Sequence, residues 1–456
     1  MLKKNNRGSF SGKIGFVLSA AGASVGLGNI WRFPYLCAKY GGGIFLCVYI
    51  ILALTFGYTM IVAETAIGRN TGKSPVGAYR ALSNNKRMVI GGWINAIIPI
   101  LIVPYYSVIG GWVCKYLFEY ITSDAAAIAE DNFFTNFITD GSSSELWFIV
   151  FAFLVLGVII MGVENGIERV SKFVMPILVV LAIIICVYSV TRPGALGGVK
   201  YLFIPDVSHF SIMTIVTAMG QMFYSLSIAM GILITFGSYV KKEVSIDEST
   251  RQVEFFDTAV AIMASLMIIP AVFAFYDGDQ SMLKAGPSLM FITMPKIFAS
   301  MGFGRIIGLL FFALVLFAAV TSAIALTESA VSTFSDEFNW SRTKGTVIMA
   351  VIMVALGSLS SLGNGPLSNV TILGMQFLDF FDFLTNSLMM PVAALATCIL
   401  VTRYMGIELL TMEVEQDGHP FQRKHIFSFM IRFLCPLFVL IILVSAILNV
   451  LGIITM

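Results

Sequence analysis

Eleven apolar stretches, most of them near 20 residues or longer, run through the whole chain and leave short polar segments between them. A bilayer core about 30 Å thick needs roughly 20 apolar residues in helical form, so each stretch predicts one membrane span. We number them spans 1 to 11. Their predicted bounds are 13–37, 42–68, 88–120, 146–162, 168–190, 212–240, 254–276, 304–333, 344–362, 374–402 and 429–453. The sequence therefore predicts an all-α polytopic membrane protein with no separate soluble domain.

The composition excludes several other classes of protein. Charged residues make up 12% of the 456 positions and hydrophobic residues 58%, whereas a soluble domain carries about 25% charge. An ordinary soluble protein, a disordered chain and a nucleic-acid binder are thereby excluded. The six cysteines form no CxxC motif. No Ser/His/Asp set, metal cluster or phosphate loop lies at membrane depth, so we expect neither an enzyme nor an organic cofactor.

Lys and Arg are distributed unequally between the two sets of loops. If the N-terminus is cytoplasmic, 20 of the 28 basic residues fall on the cytoplasmic side, as the positive-inside rule requires. We therefore expect a cytoplasmic N-terminus and, after eleven spans, an extracellular C-terminus. A cleaved signal peptide is an alternative for the first span, but the polar Asn29 and the Arg32-Phe33-Pro34 ending argue against it.

Spans 1 and 6 are predicted to be broken helices. Residues 22–29 and 220–231 combine glycines with Ser, Asn or Gln side chains at mid-depth. A broken helix survives in hydrocarbon only where protein or a cavity satisfies its backbone groups. For either segment alone, close helix packing is an alternative, since Gly22 and Gly26 form a GxxxG motif.

The positions of the two breaks favour a transporter. They fall in the first spans of two five-helix sets, and because five is odd the second set must run with inverted topology. Broken helices at matching positions of inverted repeats indicate a transport site. We expect repeat one at about 13–190, repeat two at about 212–402 and an extra helix at about 429–453.

Polar side chains inside the other spans are further candidates. Thr321 and Ser322 could simply bond back to carbonyls of their own helix, but beside a broken helix they would complete an oxygen site for a hard cation. Ionisable groups within spans are costly and are treated as functional hypotheses. The candidates are Arg32, Glu64, Asp257, Glu328 and Asp382.

Two of these hypotheses have plain alternatives. Asp257 lies near the predicted start of span 7, so it could also be a helix-start residue that reaches the interface. Arg32 and Asp382 could pair across a vestibule or be solvated separately.

Motifs along nearly the whole chain resemble the neurotransmitter:sodium symporter family, whose structural type is LeuT. The matching segments are GLGNIWRFP at 26–34, GGG at 41–43, Tyr105-Tyr106, GIE at 166–168 with Met175-Pro176, Gly220-Gln221, Ser238-Tyr239-Val240 and Thr321-Ser322. The resemblance implies the LeuT fold, a 5+5 inverted-topology repeat with broken helices 1 and 6, here followed by an eleventh helix. The family's twelfth helix has no counterpart among the predicted spans, and because it lies outside the ten-helix core we expect a monomer to suffice for transport.

The resemblance also implies two sodium ions beside a central amino acid. The first sodium site would comprise Ser24, Asn29, Ser225 and Asp257. The second would comprise the carbonyls of Gly22, Val25 and Ala318 with the hydroxyls of Thr321 and Ser322. All of these ligands are oxygens, which suits a hard cation.

The implied substrate pocket is apolar at one end. Its residues would be Ala23, Ser24, Gly26, Leu27, Gly28, Ile102, Tyr106, Tyr224, Ser227, Met230, Ser322 and Leu326. Monoamine transporters carry an acid where this chain has Gly26, so the substrate is expected to bring its own carboxylate. Ile102, Met230 and Leu326 favour several hydrophobic L-amino acids, because Met re-packs around varied shapes.

The remaining residues implied by the resemblance concern gating and ions. Arg32 with Asp382 would form the outer gate, and Arg7 with Asp336 the inner gate, beside Phe10 and Tyr239. Gly166 and Pro176 would allow span 5 to unwind, with a static proline kink as the alternative. Asp257, near Tyr49 and Gln221, would replace the chloride that animal members need.

The sequence as a whole predicts a sodium-coupled symporter for hydrophobic L-amino acids, working by alternating access in a bacterial cell membrane. Its partners would be the amino acid and the lipid bilayer, with no nucleic acid. The alternatives are a proton-coupled or differently selective amino acid transporter of the same fold and a non-transporting amino acid receptor.

Overall fold

Long apolar helices make up most of the structure, a computed structural model that describes residues 8–279, 283, 286–450 and 453. The spans are Lys13–Ser24 with Gly28–Lys39, Gly43–Thr71, Lys86–Thr122, Gly141–Ile160, Val163–Val190, Ile212–Ser225 with Ile232–Gly237, Ile246–Phe275, Gly304–Phe338, Arg342–Leu362, Phe377–Met405 and Lys424–Asn449. Shorter helices in the connections are Pro75–Leu82, Ala125–Ile128, Phe133–Thr139, Ala195–Phe203, Leu289–Ser300 and Ile407–Val414.

The prediction of an all-α polytopic membrane protein is confirmed. Among the described residues, nine unbroken helices are long and apolar enough to cross a bilayer, and the bent pair of span 1 makes a tenth crossing. Span 6 fails the length requirement because its break leaves 14 residues before it and 6 after it. The same part of the chain contains two isolated β-bridges and no β-strand.

Span 7 begins earlier than predicted. Its helix starts at Ile246, where the Ser245 side chain accepts a hydrogen bond from the Glu248 backbone N–H and two acids occupy the first turn. Ser caps and early acids stabilise helix N-termini. Hydropathy missed this part because its first turns are polar. Asp257 consequently lies well inside the helix with no exposed surface, which removes the helix-start alternative.

The spans differ in how deeply they are buried. In the most apolar part of each, 67% of span 8 is buried but only 28% of span 11. Span 8 packs against spans 1, 3 and 5, whereas span 11 packs against spans 6 and 10. The polar residues of span 8 therefore face protein, and span 11 lies at the periphery. The division into two repeats stays a prediction.

Span 1 is interrupted at mid-depth. Its first helix ends at Ser24, Val25 adopts an extended conformation, and helical structure resumes at Gly28. The two parts are bent by 55°. The interruption takes backbone groups of the intervening residues out of the regular helical pattern, and side chains bond them instead, as Asn29 bonds the Gly26 N–H and Tyr106 the Leu27 N–H.

Span 6 is interrupted between Ser225 and Ile232, as predicted. Ser227 and Ala229 have φ of +53° and +60°, values that L-residues adopt only when the surroundings enforce them. Glu64 of span 2 supplies one such contact, since its Oε1 accepts a hydrogen bond from the Ala229 N–H at 2.9 Å. Glu64 has no exposed surface, so this buried carboxyl supports the unwound segment.

Candidate functional site

One cavity lies between the broken parts of spans 1 and 6. The twelve residues predicted for the substrate pocket all line it, and Asn29 and Ser225 of the predicted first sodium site line it as well. Its volume is about 20 Å³, which is room for roughly one water molecule. The structure therefore brings these residues together around one small space.

The polar end of the cavity is formed by unwound backbone and hydroxyl groups. The Leu27 N–H donates to the Tyr106 hydroxyl at 3.4 Å, and the Ser227 hydroxyl donates to the Ala23 carbonyl at 3.0 Å. A Cβ at Gly26 would lie 2.7 Å from Ser322 Oγ and 3.1 Å from Tyr106 Oη. Only glycine fits here without displacing the hydroxyl groups.

The opposite end of the cavity is apolar. Ile102, Met230 and Leu326 are each at most 4% exposed and present only hydrocarbon and thioether groups. The Tyr224 ring packs on Gly28, where a Cβ would come within 2.5 Å of the ring. Because a buried apolar surface disfavours an unpaired charge, this end suits a hydrophobic side chain.

The residues predicted for the first sodium site form a buried cluster around Asp257. Asn29 Nδ2 lies 2.8 Å from Asp257 Oδ1, and Ser225 Oγ lies 2.9 and 3.0 Å from its two carboxylate oxygens. The Tyr49 hydroxyl donates to Asp257 Oδ2 at 3.1 Å. Three donors thus surround one carboxylate next to the central cavity, with Ser24 on the cavity wall.

Gln221 bonds the backbone of span 1. Its Nε2 donates to the Gly28 carbonyl at 3.0 Å, and no hydrogen bond joins it to Asp257 among the described residues. Gln221 therefore bonds the second helix of span 1 and not the Asp257 carboxylate.

The residues predicted for the second sodium site also meet. Ser322 Oγ lies 3.2, 3.1 and 3.3 Å from the carbonyl oxygens of Gly22, Ala23 and Val25. Thr321 Oγ1 bonds back to its own helix, to the Phe317 carbonyl at 3.0 Å and the Ala318 carbonyl at 3.1 Å, and a Cβ at Gly22 would lie 3.2 Å from Thr321 Cβ. A serine hydroxyl has one hydrogen to donate, so three carbonyls around it leave a surplus of oxygen lone pairs. That donor set suits a hard monovalent or divalent cation.

A second cavity of about 460 Å³ opens on the face opposite the N-terminus. Arg32 and Asp382 both line it but form no ion pair in the described structure. Asp382 Oδ1 instead accepts hydrogen bonds from the Tyr105 hydroxyl at 3.3 Å and Asn386 Nδ2 at 2.5 Å. The Arg32 guanidinium lies 5.5 Å from the centre of the Tyr224 ring. The predicted outer gate residues are neighbours that are not paired.

A third cavity, of about 790 Å³, opens on the face that carries the N-terminus. Asp336 and Tyr239 line it, and Asp336 Oδ2 accepts the Ser74 backbone N–H at 2.7 Å. The Phe10 N–H donates to the Tyr239 carbonyl at 3.1 Å, with the two ring centres 6.0 Å apart. Arg7, the predicted partner of Asp336, lies outside the described residues.

Sequence reasoning missed two ionic contacts on the face that carries the N-terminus. Arg342 Nη2 lies 2.5 Å from Glu328 Oε2, and the Tyr239 hydroxyl donates to Glu328 Oε1 at 2.7 Å. The sequence identified Glu328 only as an ionisable group within a span. Arg342, a basic residue at the start of span 9, was the available indication of a partner for it.

The second missed contact joins the start of span 1 to span 5. Glu168 accepts hydrogen bonds from the backbone N–H of Ser11 at 2.8 Å and from its hydroxyl. Lys172 lies 2.6 Å from the same carboxylate. The first helix of span 1 has no side-chain cap at its own N-cap residue. The Glu168 carboxylate, from span 5, accepts hydrogen bonds just before this helix and so stabilises its N-terminus.

Gly166 and Pro176 lie within a span 5 that is helical throughout its length. Residues Val163–Glu168 form a π-helical turn, and Pro176 lies inside the following α-helix. A Cβ at Gly166 would come within 2.3 Å of the Val158 carbonyl oxygen. Close packing against span 4 therefore also accounts for a glycine at position 166. Unwinding of span 5 stays a prediction.

Comparison with known proteins gives a consistent result over the whole chain. The sodium:neurotransmitter symporter family matches residues 7–140 and 134–453. An uncharacterised sodium-dependent transporter of Bacillus subtilis, YhdH, is 31% identical over 98% of both chains, and one from Haemophilus influenzae is 31% identical over 96% of this chain and 98% of its own. The crystal structure of MhsT in complex with L-phenylalanine is 36% identical, with a TM-score of 0.87 over 97% of this chain and all of that one.

Proposed function

This chain belongs to the sodium:neurotransmitter symporter family, a family of sodium-dependent secondary transporters, and from that premise we propose that it carries hydrophobic L-amino acids into the cell by alternating access. The observation that supports this substrate is the central cavity. Its polar end is unwound backbone and its other end is apolar. Structural similarity to MhsT bound to L-phenylalanine agrees with this proposal.

The substrate would lie across the cavity from one end to the other. Its carboxylate would face the Leu27 N–H and the Tyr106 hydroxyl, in the space that Gly26 leaves. Its side chain would contact Ile102, Met230 and Leu326. A substrate without a carboxylate would leave the polar end unpaired, which disfavours amines.

Two sodium ions would drive uptake. The first would bind where Asn29, Ser225, Asp257 and Ser24 meet, and the substrate carboxylate would complete its shell. The second would bind among the carbonyls around Ser322, with Thr321 and Ala318. Because the carboxylate is shared between the amino acid and the first ion, each binds better when the other is present.

We propose that uptake does not need chloride. Asp257 places a fixed carboxylate among Asn29, Ser225 and Tyr49. A permanent negative charge there would take the part that a bound anion takes in the chloride-dependent relatives, such as the GABA transporters of animals.

Alternating access would use the two larger cavities in turn. Arg32 and Asp382, already in the outer cavity, would pair as that cavity closes. On the other side, Asp336, Tyr239 and Phe10 would separate as the inner path opens. Unwinding of span 5 between Gly166 and Pro176 would admit water to the second sodium site.

We also propose the topology and orientation. The two inverted repeats would be 13–190 and 212–402, with the helix at 429–453 outside them. The excess of Lys and Arg supports a cytoplasmic N-terminal face with the other face outside, and the membrane would be that of a bacterial cell.

Uptake into proteoliposomes tests this function. We expect an inward sodium gradient to drive accumulation of L-phenylalanine and other hydrophobic amino acids, and replacement of sodium by potassium or choline to abolish it. Removal of chloride should have no effect. Preference for charged or very small amino acids would contradict the proposed substrate class.

Two alternatives predict different results in the same assay. A proton-coupled transporter would accumulate substrate with a pH gradient and no sodium. A receptor would bind the amino acid, in a scintillation proximity assay for example, without accumulating it under any gradient.

A further inference from the structure

An open pocket of about 740 Å³ lies on the N-terminal face, away from the transport path. It is formed where the loop before span 3 meets the end of span 10. Its lining residues are Leu82, Asn84, Asn85, Lys86, Arg87, Arg403 and Tyr404. Three of the seven are cations and none is an acid, so the pocket carries a local positive charge.

The three cations have no counter-charge within the described protein. Lys86, Arg87 and Arg403 are exposed, and their side chains form no hydrogen bond or ion pair with described residues. Two other cations of this face are paired, Arg80 with Glu337 and Arg423 with Glu254. Like charges gathered around one pocket repel each other unless an anion from outside joins them.

The loop that carries two of these cations is fixed in place. Asn85 Nδ2 donates to the Tyr404 hydroxyl at 2.9 Å, which ties the loop to span 10. Asn85 Oδ1 accepts the Arg87 backbone N–H at 2.9 Å and so caps span 3, whose first turn contains no acid. The N-terminus of this 37-residue helix adds to the positive potential that the side chains create.

Apolar side chains extend from the pocket toward the membrane interior. Ile90 and Ile97 are exposed on span 3, and Val392 and Ile399 are exposed on span 10. Val392 and Ile399 precede Arg403 by eleven and four residues, spacings that return to one side of a helix. The two spans touch, since a Cβ at Gly91 would lie 2.6 Å from Ala396 Cβ. A ligand with a charged head and apolar chains would match both surfaces.

We propose that this pocket binds the phosphodiester headgroup of an anionic phospholipid in the leaflet at the N-terminal face, with its acyl chains along spans 3 and 10. Arg87 and Arg403 approach the headgroup from two different spans, and Lys86 supplies a third charge. Basic pockets between membrane helices are suited to such headgroups. This site is separate from the central cavity and goes beyond the transport function.

Native mass spectrometry of the full chain in a neutral detergent tests the proposal. The probes are palmitoyl-oleoyl phosphatidylglycerol, the phosphatidylcholine with the same chains, and inorganic phosphate. We expect phosphatidylglycerol to bind more tightly than phosphatidylcholine. The double variant Arg87→Gln/Arg403→Gln should bind it roughly thirty-fold more weakly, given about 1 kcal/mol for each basic residue near an anionic lipid.

A matched variant controls for the general positive charge of this face. Arg169→Gln/Lys344→Gln removes two exposed cations from the starts of spans 5 and 9 and should leave phosphatidylglycerol binding unchanged. The single variant Lys86→Gln should give a smaller loss, about five-fold. These substitutions are at exposed positions, and an unchanged melting temperature would verify that each variant is folded.

Three results would overturn the proposal. An equal loss in the control variant would show that only the overall charge of the face matters. Equal binding of phosphatidylcholine would show that the cations do not recognise the headgroup. Displacement of the lipid by millimolar inorganic phosphate would assign the pocket to a free phosphate ion instead.

Discussion

Gly26 shows how an absent side chain defines the central cavity. The position lies between the Ser322 and Tyr106 hydroxyl groups, and a single added carbon would come within 2.7 Å of the first. Those hydroxyls are also the groups that would hold a substrate carboxylate and the second sodium ion. The size of residue 26 therefore affects both binding steps at once.

Gly26→Ala is expected to weaken amino acid binding. Overpacking a tight site costs about 1–3 kcal/mol, so the affinity for L-phenylalanine should fall roughly tenfold, measured by equilibrium binding at saturating sodium. Gly157→Ala is the control, because nothing lies within 4 Å of its added carbon. Unchanged affinity in Gly26→Ala, with the protein folded, would show that the carboxylate binds elsewhere.

Asp257 is the only acid of the predicted sodium ligands, and its charge is the property to test. Asp257→Asn keeps the shape of the side chain but removes the charge, so half-maximal uptake should require at least tenfold more sodium. Uptake should also become responsive to chloride. Asp277→Asn, at an exposed position two residues after the same helix ends, should behave like the unchanged protein. Uptake by Asp257→Asn that is normal and indifferent to chloride would contradict the proposed role.

The residues of the site were predictable to different extents, for a physical reason. The cavity-lining residues cluster in short motifs of spans 1, 3, 6 and 8, so one resemblance locates all twelve. The contact of Glu328 with Arg342 joins different spans, and hydropathy does not report how each helix is rotated. Side chains such as Glu168 and Gln221 therefore found partners that the sequence could not reveal.

At the scale of elements, the broken helices depend on their neighbours. The unwound part of span 6 is held by Glu64 from span 2, and the start of span 1 is held by Glu168 from span 5. Sequence patterns predicted both breaks, because glycines and polar side chains interrupt an apolar run. They missed the first turns of span 7, because a capped polar helix start resembles a loop.

The contact between spans 1 and 5 predicts a change in local stability. Glu168→Gln weakens the charge-assisted hydrogen bonds to Ser11 and the ion pair with Lys172. Backbone amides of residues 13–20 should therefore exchange with deuterium roughly tenfold faster. Glu164→Gln, an exposed acid of the same π-helical turn, is the control and should leave their exchange unchanged. Equal exchange in both variants would show that Glu168 does not stabilise span 1.

At the scale of the whole molecule, one buried carboxylate joins three distant parts of the chain. Glu413, in the short helix between spans 10 and 11, lies 2.7 Å from Arg69 at the end of span 2 and 2.8 Å from Lys242 after span 6. Its side chain is 5% exposed and that of Arg69 is 1% exposed. The two predicted repeats and the connection to span 11 thus share a single ionic contact.

Glu413→Gln is expected to lower the thermal stability of the purified protein. Removing one partner from a buried ion pair costs about 3–5 kcal/mol, because the other charge is left without compensation. Glu415→Gln is the control. This residue lies two positions after Glu413 and forms an exposed pair with Lys424, whose loss should cost below about 1 kcal/mol. Melting curves in one detergent compare the two variants. Similar midpoints for both would show that the buried contact does not stabilise the assembly of spans.

The small volume of the central cavity has an electrical consequence. Cavities of about 460 and 790 Å³ enter from the two faces, yet only about 20 Å³ lies between the broken helices. That space admits roughly one water molecule, which is too little for a continuous column of water across the bilayer. A continuous column would conduct ions and discharge the membrane. We therefore expect this narrow centre to make the protein an electrical insulator between turnovers, so that the sodium gradient drives accumulation and is not dissipated by leakage.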